Sequence, residues 1–128
     1  MKLRKIARTA LVLTAMLSGA CALAASSAAA ETRCGWFVNP TPGNFWLVDA
    51  EGEWSIAWQG REPPPGFEDL PDMSAGGWVE TNVHYGYGCG CVSGDLDKAK
   101  KKFVRIAGGE PKALAFCRTD KRLPSFEP

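Results

Sequence analysis

Short runs of alternating apolar and polar residues, cut by glycine and proline, fill the chain from residue 31 onward. Arg33 to Val38 predicts a first strand, and Asn39-Pro40-Thr41-Pro42-Gly43-Asn44 a proline-fixed loop. Phe45 to Asp49 and Glu53 to Trp58 flank Ala50-Glu51-Gly52, which predicts a hairpin. Within its second arm Trp54, Ile56 and Trp58 alternate with Ser55 and Ala57, so those three should share a buried face. Gln59 to Gly77 carries Pro63-Pro64-Pro65-Gly66 and a Glu68 to Asp72 cluster, and reads as a long surface loop of the functional or mobile kind. Trp78 to Val92 predicts another strand. Ser93-Gly94-Asp95-Leu96-Asp97 then breaks it, with Asp95 placed to cap a short helical turn near residues 95–102. Phe103 to Ala107 and Lys112 to Cys117 predict a second hairpin around Gly108-Gly109-Glu110-Pro111, and the tail from Arg118 should fray. The fold class is therefore all-β, a small barrel or sandwich of about six short strands.

The first 30 residues follow a different pattern. Lys2, Arg4, Lys5 and Arg8 precede an apolar stretch to about Ala25, which ends in Ser26-Ser27-Ala28-Ala29-Ala30. Charged start, apolar middle and small-residue exit make a signal peptide, cleaved after Ala30 or, alternatively, Ala24. The run is short and broken by Thr14, Ser18 and Gly19, against the roughly 20 apolar residues of a spanning helix, so no membrane span is expected. A lipid on Cys21 is disfavoured, because Ser18 stands where lipoprotein signals carry a leucine-like residue. The product is a single mature domain, residues 31–128, in a periplasmic or secreted setting.

Removing the signal changes the charge. The whole chain has 15 basic and 14 acidic residues, and loss of the four basic signal residues leaves a net −3. That balance argues against nucleic acid as a partner. The one basic run, Lys98 with Lys100-Lys101-Lys102, reads as a solvated helix or turn face beside Asp95 and Asp97.

The mature domain holds Cys34, Cys89, Cys91 and Cys117, and a small exported domain commonly supplements a thin core with disulfides. A Cys89–Cys91 bridge is unfavourable, since strand residues two apart project in parallel. Two pairings stay open: Cys34–Cys89 with Cys91–Cys117, or Cys34–Cys91 with Cys89–Cys117. Loops of about 56 and 28 residues would make each bridge worth roughly 3.5–4 kcal/mol on the chain-entropy model. A redox pair is disfavoured by the one-residue spacing, and a zinc site by export. No cofactor motif is present.

Val83 to Cys91 is the least ordinary stretch. On a strand, Gly86, Gly88 and Gly90 share one face and leave it bare. Three glycines weaken a strand. Either an aromatic ring packs across the bare backbone or a ligand approaches it, and internal packing is favoured. Of five tryptophans, Trp54 and Trp58 look internal, whereas Trp36, Trp46 and Trp78 adjoin loops and are candidate binding residues with His84.

Arg33-Cys34-Gly35-Trp36, Asn39-Pro40-Thr41-Pro42, Asn44 to Asp49, Gly52 to Ile56 and Tyr85-Gly86-Tyr87-Gly88-Cys89 resemble motifs of a small exported bacterial family. It is catalogued as domain of unknown function 4087, and the resemblance runs from Arg33 to about Pro124. It implies a bacterial exported setting and supplies no mechanism.

Enzyme chemistry is weakly encoded. His84 is the sole histidine, paired cysteines leave no thiol, and the acid pairs Asp69 with Asp72 and Glu51 with Glu53 read as solvated. The expected function is a non-catalytic binding or inhibitory module of the bacterial cell envelope, acting on an envelope protein or glycan. The alternative is a sugar- or peptide-binding module using exposed tryptophans, and a small periplasmic enzyme ranks below both.

Overall fold

In a computed structural model, residues 30–126 are described. Residues 1–29, with Cys21 and the alternative cleavage site at Ala24, lie outside the described residues, as does Pro128. Six strands appear in order: β1 (Glu31–Asn39), β2 (Phe45–Asp49), β3 (Gly52–Ala57), β4 (Val79–Asn82), β5 (Tyr85–Asp97) and β6 (Lys102–Lys112). A 3-10 turn (Phe67–Asp69) interrupts the long loop, and a short helix, α1 (Leu114–Arg118), follows β6.

The strands meet in the order β1-β2-β3-β6-β5-β4, and β1 also pairs with β5. Five strands thereby form a ring. All neighbours are antiparallel except β3 and β6, which touch in parallel at the single pair Ser55–Lys102. The result is a ring-like sheet with one narrow seam, not a full barrel. β4 and β6 lie end to end along the same edge of β5, because β1 occupies the other.

Alternation gives the ring two faces. Phe37, Leu47, Trp54, Ile56, Val92, Phe103 and Ile106 point inward and form the main core. Trp36, Val38, Val48, Tyr87 and Cys89 point outward, where Cys117 of α1 and the tail cover them. The tail expected to fray is docked as far as Phe126. Trp36 Nε1 donates to the Pro124 carbonyl at 2.9 Å and the Tyr87 hydroxyl to the Phe126 carbonyl at 2.7 Å. The outer face needs this cover, since otherwise two large aromatic rings would lie in water.

Both bridges form, and the pairing is Cys34–Cys91 and Cys89–Cys117. Register decides it. Cys34 stands directly opposite Cys91 across β1 and β5, while Cys89 stands opposite Trp36 and reaches outward to α1.

Three local expectations are corrected. The helical turn near 95–102 is absent: β5 runs on to Asp97, and Asp97 Oδ1 accepts the Lys100 amide at 3.0 Å in a tight turn. Asp95 caps nothing and pairs with Arg105 across the hairpin. The hairpin around Gly108 to Pro111 is also absent, because β6 passes straight through those residues against β5. Pro111 is tolerated there because, among the described strands, the other edge of β6 meets only β3, and only at Lys102. The segment expected as the second arm forms α1 instead. Finally, the strand expected over Trp78 to Val92 is two strands, β4 and β5, joined by Val83 and His84.

Candidate functional site

The inward side chains of β1 run Arg33, Gly35, Phe37, Asn39, from one end of the ring to the other. The Arg33 end is plugged. Its guanidinium lies 4.0 Å over the Trp54 ring and pairs with Asp49 at 3.0 Å, Glu51 at 2.8 Å and Glu31 at 2.6 Å. Burial pulls the Arg33 pKa down, but the hydrogen bonds to Asp49 and Glu51 prevail and hold it above its ordinary value. Asp49 also accepts the Trp54 indole N–H at 3.0 Å. Glu51 is thus an ion-pair partner of Arg33.

The Asn39 end opens into a groove of about 640 Å³. Phe37 and Phe45 form one wall, and Phe67, Leu70 and Met73 of the long loop form another. Trp78, Glu80 and His84 close it from the β4 side. Ring centroids of Phe45 and Phe67 are 5.0 Å apart, and those of Phe37 and Phe45 5.9 Å. Around this aromatic floor stand Glu68, Asp72 and Glu80, and among the described residues no lysine or arginine lines the groove. Hydrogen bonds from the Ser74 hydroxyl and amide hold the Asp72 carboxyl below its ordinary pKa.

The long loop builds this site and is anchored, not loose. Ile106 donates its amide to the Pro65 carbonyl at 2.8 Å, and Met73 is buried. The loop lies across the bare glycines. A Cβ on Gly88 would come within 2.8 Å of the Gly77 carbonyl oxygen and 3.0 Å of the Trp78 ring edge. One on Gly90 would come within 2.6 Å of the Met73 methyl. The glycine face is therefore packed internally, by Trp78 and Met73, so that the loop can approach the strand closely.

The four candidate binding residues separate. Trp78 and His84 both line the groove, and the Trp78 indole donates to the His84 carbonyl at 3.0 Å. The His84 imidazole is exposed and lies 4.3 Å from the Tyr85 ring. Trp46 is half-buried on the outer face, in a second depression of about 410 Å³ with Val38, Tyr87 and Phe126. Trp36 is buried under the tail, away from the groove. Trp58, expected inside, is 48% exposed. β3 ends at Ala57, and a bulge at Phe45/Trp46 shifts the register, so Trp58 swings out beside Trp46 at 6.3 Å. Sequence reasoning missed Phe37, Phe45, Phe67 and Glu80. Only the acidic cluster in the proline-flanked loop hinted at them.

The hairpin between β4 and β5 has one further peculiarity. Val83 sits at φ 57°, a left-handed conformation that a β-branched residue resists, and it is 79% exposed. Backbone strain of this kind gathers at binding and switch regions. Among the described residues no helix is long and apolar enough to cross a membrane, and no group of three metal-ligating side chains occurs.

No curated protein and no solved structure matches the chain. A family model does, over residues 28–124, described as a protein of unknown function, DUF4087. That span covers well over half the sequence and includes every motif quoted above, the cysteines of both bridges and all of the groove, so the chain belongs to the DUF4087 family.

Proposed function

We propose that this protein is an exported, non-catalytic binding module of the bacterial cell envelope, and that the groove between Phe45, Phe67 and Trp78 holds a protein partner. The groove carries the reading. It combines an aromatic floor, where burial anchors a partner, with a rim of one charge sign, which sets orientation. Both walls are tied down by disulfide-braced strands and an anchored loop, so binding costs little ordering. Cys34, Cys89, Cys91 and Cys117 are all in bridges, so no free thiol is left among the described residues. Two disulfides fit an oxidising compartment, and the N-terminal pattern supports export to the periplasm or beyond.

The test is capture from envelope extract with the oxidised protein, wild type against Phe67→Ala, each checked for an unchanged circular dichroism spectrum. The expected result is a partner held by wild type and lost with the variant. Identical capture by both would remove the groove from the reading. A second reading rests on Trp46 and Trp58, whose tilted rings lie side by side on the outer face, an arrangement that stacks sugar rings. It predicts a shift in tryptophan fluorescence on adding cell-wall glycans, abolished in Trp58→Ala.

A further inference from the structure

We infer that the groove and the free edge of β4 together receive an extended, basic segment of a partner protein, added as a strand beside β4. This rests on the binding reading above and names the partner's chemistry. β4 ends the sheet, and no described strand pairs with its outer edge. An unpaired edge presents backbone N–H and C=O groups to any extended chain. β4 is only four residues long, and Glu80, Thr81 and Asn82 are exposed. A short, charged edge resists pairing with another copy of itself, because Glu80 would meet like charge. The same charge favours a lysine or arginine on an incoming strand, so one residue both rejects the wrong partner and selects the right one.

The groove supplies the rest of the specificity. Trp78 and Glu80 are two residues apart and both line it, whereas Val79 packs on the outer face. An added strand would likewise turn every second side chain toward the groove. An apolar side chain at one such position meets Phe45, Phe67 and Trp78. Basic side chains at the positions before and after it meet Glu80, Asp72 and Glu68. Among the described residues, the groove lining holds no competing lysine or arginine. The strained Val83 at the hairpin tip places an exposed apolar side chain next to this edge.

Three synthetic peptides test the inference against the oxidised protein: acetyl-Lys-Thr-Leu-Thr-Lys-Thr-amide, the same sequence with glutamates for lysines, and the basic peptide N-methylated at alternate backbone amides. Indole N–H NMR shifts of Trp78 report binding. The basic peptide is expected to shift Trp78 and to weaken with added salt, and the acidic and N-methylated peptides to bind at least about tenfold more weakly. Asp72→Asn and Glu80→Gln should each weaken the basic peptide several-fold, and Asp95→Asn, whose carboxylate pairs with Arg105 outside the groove, should not. Equal binding of basic and acidic peptides overturns the inference, and so does undiminished binding of the N-methylated one or of the Asp72→Asn, Glu80→Gln double variant. No binding by any peptide, while Phe67→Ala still abolishes capture from extract, removes the strand-addition inference and leaves the binding module standing. Loss of neither peptide nor extract binding in Phe67→Ala removes both.

Discussion

Gly88 separates a glycine required by packing from one that is incidental. In Gly88→Ala the new methyl would lie 2.8 Å from the Gly77 carbonyl oxygen and 3.0 Å from the Trp78 ring edge, with the Met73 carbonyl oxygen at 3.4 Å. Two of the three are backbone atoms of the anchored loop and cannot rotate away. Either the loop lifts off β5 or the strand bends, and overpacking of this kind costs about 1–3 kcal/mol. Gly88→Val adds two more methyl groups to the same space and should fall at or above the upper end. Gly108 is the control. No heavy atom lies within 4 Å of its hypothetical Cβ, and its φ is not positive. Alanine there should leave the fold intact or stabilise it by about 0.4–1 kcal/mol, through the less flexible unfolded chain. For a domain of this size 1 kcal/mol moves the melting temperature by about 4–8 °C. Calorimetry should therefore show Gly88→Ala melting several degrees below wild type and Gly108→Ala at or above it. Because the displaced group is Trp78, the Gly88 variants should also perturb the groove. Equal melting temperatures for the two alanine variants would refute the internal-packing account.

Trp54→Ala should cost about 3–5 kcal/mol and Trp58→Ala under about 1 kcal/mol, since one ring is enclosed and the other half in water; denaturant titration measures both, and similar losses would contradict the placement of Trp58. Replacing Cys34 and Cys91 together by alanine should destabilise by roughly 4 kcal/mol and replacing Cys89 and Cys117 by about 3.5 kcal/mol, from separations of 57 and 28 residues; peptide mapping of the oxidised protein should find only these two pairs. Val83→Gly should raise the melting temperature by relieving a left-handed β-branched residue, a strain of about 1–2 kcal/mol partly offset by glycine's flexibility, and a fall instead would mean that the valine side chain contributes contacts. Glu31, Asp72, Asp95 and Asp120 are held below their ordinary pKa values by hydrogen bonds from Lys98, Ser74, Arg105 and Arg122 respectively. Carboxylates with depressed folded values contribute stability above the ordinary range and lose it as pH falls through the depressed values. Melting temperature should therefore hold from pH 7 to 5 and decline below about pH 4, whereas a rise on acidification would contradict the ion pairs.

The residues themselves settled what local chemistry can settle. Alternation and turn residues located β1, β2 and β3 to within two residues at each end, with a turn at Ala50-Glu51 between the last two. The even cysteine count foretold two bridges, and the three spaced glycines foretold a close internal approach. Tertiary structure decided whatever depends on who stands opposite whom. The bridge pairing follows from register, which places Cys34 opposite Cys91 and leaves Cys89 to face α1. Gly108 to Pro111 looked like a turn, but a 13-residue β5 offered a ladder long enough to keep them extended. Trp58 continued an alternating pattern on paper, yet the bulge at Phe45/Trp46 and the end of β3 carried it outside. The groove was the least legible feature, because Phe37, Phe45, Phe67 and Trp78 are scattered over 42 residues and converge only when the long loop folds across the glycines. Side-chain period is written in neighbouring residues, but pairing register and loop closure depend on contacts between distant ones, which compete for the same edges and the same bare backbone.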